Sequence, residues 1–173
     1  MTYRTKTYLA ADWSGDKNVV DEIYKWNESE YWSLHFVDAH DLTQARDTSL
    51  YCSIKKSLAE RLDASKTFVL IVGDQTKTLT KGSCANCGSY NSWSKNCARG
   101  GFVDYRSYIT YECEKANRDG LRIVVIYNGT TVRREKCPTV LQNKGEHLSA
   151  FYYGPNGIKR WNYQKIKDAI MGN

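Results

Sequence analysis

The sequence predicts a doubly wound α/β fold, a parallel sheet with helices on both faces. Three observations carry that prediction. Thr67-Phe-Val-Leu-Ile-Val72 and Arg122-Ile-Val-Val-Ile-Tyr127 are unbroken apolar runs rich in branched side chains, and a strand apolar throughout is one buried on both faces. Amphipathic helical segments stand between the strand-like runs, and alternating β and α units generate a covered parallel sheet. The chain has 173 residues, 41% hydrophobic and 25% charged, which is the size and balance of one globular domain with a full core and too apolar for disorder.

Taken in order, Thr7 to Asp12 predicts a short first strand and Val19 to Trp26 a helix carrying Val20, Ile23 and Tyr24. Tyr31 to Val37 predicts a second strand, with His35 as a strand residue whose ring is satisfied. Ser53 to Leu62 reads as a helix, with Ile54, Leu58 and Leu62 at four-residue intervals. After the apolar run ending at Val72, Tyr105 to Asn117 forms a helix whose inward stripe is Tyr105, Ile109, Cys113 and Ala116. The second apolar run follows, then a fifth strand at Leu148 to Tyr153. A helix from Trp161 to Met171 closes the chain, with Ile166 and Ile170 facing in. The expectation is a three-layer, flavodoxin-like order of about five parallel strands. It forms a single domain over residues 1–173, without internal repeats and with an insertion at about 76–104.

Composition narrows the function classes. The net charge of +6 is scattered rather than gathered into a stripe, and its densest region, Lys115 to Lys136, is broken by acids and by an apolar strand. No nucleic-acid partner is expected on that basis. No run approaches membrane-spanning length, and the start, Met1 to Tyr8, leads into only a very short apolar stretch. No signal peptide or membrane partner is expected, and cytoplasmic residence follows as the default. There is no glycine-rich phosphate loop, dinucleotide fingerprint, serine elbow or His-Glu-x-x-His motif. The three histidines, His35, His40 and His147, have no obvious nucleophile beside them.

In sheets of this kind ligands bind beyond the carboxyl ends of the strands. Here those ends are Asp12-Trp-Ser-Gly-Asp16, Asp38 to Asp41, Gly73 to Thr76 and Asn128-Gly129. Glu112 draws attention near the same rim. It borders the apolar stripe of its helix, whereas Glu114 points to water, and a carboxylate there must be paired, hydrogen-bonded or shifted in pKa. The simpler reading is a partner lysine or arginine, or a backbone cap; for Asp12, Asp16 and Asp74 it is turn and helix capping.

The six cysteines read as free thiols or metal ligands rather than disulfides. Cys52 and Cys113 lie on helical faces as small core residues. Within the insertion, Cys84-Ala-Asn-Cys87 followed by Cys97 suggests zinc, which wants four soft ligands in a structural site. The fourth is missing locally, and Cys137, Cys113 or a histidine would have to supply it. The simpler alternative is a glycine- and serine-rich loop with ordinary thiols, held by Tyr90, Trp93 and Phe102, and no cofactor.

Leu62 to Thr76, Tyr108-Ile-Thr-Tyr-Glu-Cys-Glu-Lys-Ala and Ile123 to Tyr127 together resemble the TIR-like domains of bacterial Thoeris antiphage defence. The resemblance runs from about Thr7 to the last helix. It implies signal transduction with NAD or a related nucleotide as substrate, cleaved at the nicotinamide–ribose bond to an ADP-ribose-derived product. In TIR enzymes that cleave NAD, the glutamate of this helix is essential; it maps onto Glu112, and the aromatic four residues before it onto Tyr108. The resemblance also implies substrate contacts from Asp12, Trp13, Ser14 and Asp16 in the first loop, and Asp74 stands at the next strand end. Self-association is implied for the loop Asp38 to Asp47. The chain departs from the common pattern at Ala10-Ala-Asp-Trp. Two alternatives stand beside this reading. One is a non-catalytic TIR-like interaction module, and the other, further off, is a nucleoside deoxyribosyltransferase-like enzyme.

Overall fold

The computed structural model describes residues 3–42 and 50–173, leaving aside the side chains of Asp41 and Leu42. Its centre is a four-stranded parallel sheet. Strand β1 (Lys6–Ala10) lies at one side, then β2 (Ser65–Val72), β5 (Arg122–Tyr127) and β6 (Glu146–Ser149). Two short strands, β3 (Tyr90–Asn91) and β4 (Asn96–Cys97), form a separate hairpin within the insertion. A second hairpin, β7 (Phe151–Tyr153) with β8 (Lys159–Trp161), leads into the last helix.

Alternation along the central strands divides the core. Leu9, Val69, Ile71, Val124 and Ile126 face helices α1 (Lys17–Glu28) and α4 (Tyr163–Met171). Tyr8, Phe68, Leu70, Ile123 and Val125 face α2 (Tyr51–Asp63) and α3 (Tyr108–Arg118). This is the expected three-layer arrangement, and the continuous apolar runs of β2 and β5 are indeed covered on both sides.

The sheet has four strands where five were expected, because residues 31–37 do not pair as a strand. Ser33 (φ 54°) and His35 (φ 27°) turn through the left-handed region, which an extended ladder does not tolerate. His35 is exposed rather than a strand residue. Leu34 and Phe36 are nonetheless buried, so the apolar spacing reports burial without a ladder. Asn27 takes the role of a strand neighbour. Its amide accepts from the Phe36 N–H (2.7 Å) and donates to the Phe36 carbonyl (3.1 Å). Among the described residues a single parallel bridge, Thr7 to Asp38, marks the edge beside β1 where a second strand of a flavodoxin-like sheet would lie.

The expected strand at 148–153 is likewise split. Up to Ser149 the backbone pairs with β5, and from Phe151 it pairs antiparallel with β8. Between them Ala150 donates to Tyr127 and accepts from Asn162, both at 2.8 Å.

Helix α3 begins at Tyr108, later than expected. Ser107 caps it, its hydroxyl accepting from the Thr110 N–H at 3.1 Å. Tyr105 therefore lies outside the helix and is exposed, its hydroxyl 3.0 Å from that of Tyr90. No helix among the described residues is long and apolar enough to cross a membrane.

Candidate active site at the strand ends

Glu112 lies in the second turn of α3 and is buried, at 7% exposure. Its partner comes from the sheet: the Tyr8 hydroxyl, itself fully buried, donates to Oε1. Burial pushes the Glu112 carboxyl up to about 7, although the Tyr8 hydrogen bond and the nearby Arg61 charge both pull it down. Desolvation therefore outweighs two favourable interactions at this group. Tyr8 is raised well above an ordinary phenol, chiefly by burial and then by the Glu112 charge.

A chain of aromatic contacts leads from Tyr8 toward the rim. The Tyr8 ring lies 5.0 Å from His40, and His40 meets the edge of Trp13 at 5.5 Å. Trp13, about half exposed, stacks on Tyr24 at 6.2 Å. Asp38 fixes this group from below. It accepts from the Tyr24 hydroxyl (2.7 Å) and the His40 N–H (3.0 Å), and faces His40 Nδ1 at 2.9 Å. Burial alone would raise Asp38, but these hydrogen bonds hold it below the usual carboxylate range.

Asp12, Ser14, Asp16 and Asp74 fall into three other places. Asp12 and Ser14 close their own loop, Asp12 Oδ1 accepting from the Ser14 hydroxyl (2.8 Å) and N–H (3.2 Å). Asp12 thus makes the turn that the simpler reading assigned to it. Asp16 is buried and bonds to Asn128 Nδ2 at 2.8 Å, joining the first loop to the end of β5. Its carboxyl is raised by burial. Gly73 is required beside it, since a Cβ there would stand 2.0 Å from Asp16 Oδ1. Asp74 is exposed and ion-paired with Lys136. It lines a strand-end cavity of about 270 Å³ together with Asn128, Arg133 and Lys136.

Tyr108 points elsewhere. Its ring packs against Tyr51 at 5.6 Å and under Gly82, where a Cβ would come within 2.4 Å of the ring. Gly82 also has a φ of 98°, so glycine is needed there twice over.

The structure thus gathers Glu112 with Tyr8 and Arg61, and Trp13 with His40. It does not bring Asp12, Asp16 or Asp74 to Glu112. Glu112 does not line the strand-end cavity, nor either of two further cavities, one beside Arg122 and one in the insertion. Half of the Asp38 to Asp47 loop lies outside the described residues.

Tyr8, His40 and Arg61 do not stand out as site residues in the sequence. Tyr8 reads as an ordinary strand aromatic, and its bond to Glu112 spans 104 positions. The one available signal is that Tyr8 shares a sheet face with Phe68 and Leu70.

A parallel sheet between two helical layers is the arrangement of a TIR-like, flavodoxin-like α/β fold. Residues 8–81 match the family model described as Thoeris protein ThsB, TIR-like domain. Over that segment the chain is similar to the TIR-like domains of Thoeris antiphage defence. The match begins within β1, carries α1, α2 and β2, and ends before the helix that bears Glu112. No curated protein matches the chain.

Proposed function

We propose that this TIR-like defence protein cleaves NAD, or a closely related dinucleotide, at the nicotinamide–ribose bond, with Glu112 as the catalytic carboxylate. The observation that carries the reading is the buried Glu112, pushed up to about 7 and held by the Tyr8 phenolic hydrogen bond. A buried carboxylate is costly unless it is paired, and such perturbed groups concentrate where chemistry is done.

The chemistry suits one carboxylate. When the glycosidic C–N bond breaks, its electron pair moves onto the pyridinium nitrogen, so nicotinamide leaves neutral and needs no general acid. Positive charge then grows on the ribose, as in glycoside hydrolysis. An ionised Glu112 stabilises that charge and engages the ribose hydroxyls. Water or a hydroxyl of the same substrate captures the sugar carbon, giving a linear or cyclised ADP-ribose product. Tyr8 orients the carboxylate and keeps part of its population ionised near neutral pH. The Trp13 ring at the rim offers a face for a planar base, and Arg133 and Lys136 at the strand ends suit the pyrophosphate. Completion of the site by a neighbouring protomer, through the loop Asp38 to Asp47, belongs to the same reading.

One observation favours a second reading, a non-catalytic interaction module. Glu112 borders none of the three cavities described above, and the Tyr8 bond gives it a structural role. The two readings separate on NAD turnover. The first expects nicotinamide release by the wild type and its loss in Glu112→Gln. The second expects no turnover in any assembled state, and defects from changes in the Asp38 to Asp47 loop instead.

A further inference from the structure

We propose that Cys52, Cys84, Cys87 and Cys97 form a four-thiolate site for one structural zinc ion, which fastens the insertion to helix α2. Three of these cysteines lie in the insertion, and the fourth lies in the first turn of α2. All four line a single cavity of about 10 Å³, walled otherwise by Leu50, Tyr90 and Phe102. That is the room of one small atom. Cys52 was expected to be a core residue; it instead faces the insertion's thiols.

The backbone brings them together by a traceable route. The Cys84 N–H donates to the Asp104 carbonyl at 2.9 Å, and the Asp104 N–H donates back to Cys84 Sγ at 3.3 Å. Asp104 is in turn pinned to α2, because the buried Lys55 donates to the carbonyls of Asp104 (3.2 Å) and Arg106 (2.7 Å). Lys55 is three residues after Cys52 on the same helix, so this clamp delivers Cys84 to the Cys52 turn. Cys84 and Cys87 occupy one tight turn, closed by the Cys87 N–H on the Cys84 carbonyl at 3.0 Å. Cys97 arrives on the β3–β4 hairpin. The sulfurs of Cys52 and Cys97 lie 3.3 and 3.4 Å from the point a Cβ of Gly101 would occupy. Residue 101 is therefore a glycine where two thiols crowd the backbone.

Two further observations point to an ion. Tyr108 Oη is buried and has no hydrogen-bond partner among the described residues. The ionisable groups acting on it are Tyr51, Cys87, Cys84 and Cys52. A zinc-bound thiolate gives that hydroxyl an acceptor, and the Asp104 N–H to Cys84 Sγ bond is the usual second support of such a ligand. The insertion also lacks a core of its own. Trp93 and Phe102 are 96% and 84% exposed, so they do not hold it as expected, and of residues 83–104 only Ser83 and Cys84 are buried. A hairpin of two-residue strands is not stable alone in water, and a tetrahedral zinc held by four cysteines is a staple suited to it. Among the described residues no three candidate ligands are already drawn to metal-bonding spacing. The bound state therefore needs the four side chains to turn further into the cavity they line.

The test is metal content. The full chain is purified under reducing conditions from zinc-supplemented cells, assayed by mass spectrometry of the metal, and reconstituted with cobalt(II). The expected result is one zinc per chain and thiolate-to-cobalt charge-transfer absorption. Cys52→Ser and Cys97→Ser each lose most of the metal, and Cys113→Ser, in the apolar core, keeps it. Cys52→Asp, which retains a ligand oxygen, guards against misfolding and is expected to keep metal with a weakened charge-transfer band. Stripping zinc from the wild type exposes the 83–104 segment to protease, and adding it back protects the segment. Wild-type protein with well under one metal per chain overturns the proposal. So do full occupancy in Cys52→Ser and an intact-mass loss of two hydrogens showing these thiols paired as a disulfide.

Discussion

At the scale of single residues, Glu112 couples stability to pH in a direction opposite to most carboxylates. It titrates at about 7 in the folded chain against an ordinary value of 4.5. Between those pH values the folded state holds a proton that the unfolded state has released. Stability from this group is therefore full below pH 4.5, falls as pH climbs toward 7 and levels off beyond, by about 3 kcal/mol in all. The groups facing it are Tyr8, Arg61 and Cys113, the last raised by burial and then by Glu112. We expect urea unfolding of the wild type to weaken between pH 5 and pH 8 relative to Glu112→Gln. Parallel profiles for the two proteins contradict that placement. The sequence exposed Glu112 because a charge beside an apolar helical stripe is visible locally. It concealed Tyr8, His40 and Arg61, whose relevance depends on which strands and helices pack together.

At the scale of elements, periodicity located most of what was buried, Tyr105 excepted, and misjudged what was paired. Residues 31–37 carry strand-like spacing, yet the left-handed turns at Ser33 and His35 and the Asn27 amide produce burial without a ladder. A side chain substituting for a strand neighbour leaves no local mark. Helix α3 shows a similar limit: its start is set by Ser107 rather than by the aromatic Tyr105. Ser107→Ala is expected to cost about 1 kcal/mol, read as a lowered melting temperature, and an unchanged melt counts against that cap. The insertion hid its organisation for another reason. Its fourth thiol lies 32 positions before Cys84, on a helix whose own pattern made Cys52 look like filling.

At the scale of the whole molecule, the sheet separates two cores, and the chain uses them differently. The α1–α4 side is an aromatic block in which Trp26 meets Trp161 at 5.5 Å and Tyr163 at 5.1 Å, edge to face. Trp26→Ala is expected to lose about 3–5 kcal/mol, measurable as a lower urea midpoint; a loss under about 1 kcal/mol contradicts this packing. The α2–α3 side holds Tyr8, Glu112 and the clamp to the insertion. This layering was legible because continuous apolar strands admit few arrangements. The distribution of roles between the layers was not, since it depends on contacts between residues a hundred positions apart. The proposed chemistry lies on the α2–α3 face. The most direct test is nicotinamide release from NAD, followed in phage-challenged cells and in protein recovered from them, for wild type and Glu112→Gln. Release by the wild type is expected, with a loss of at least 100-fold (about 2.7 kcal/mol of barrier) in the folded variant. Equal release by both proteins, or none from the wild type in its triggered state, contradicts it.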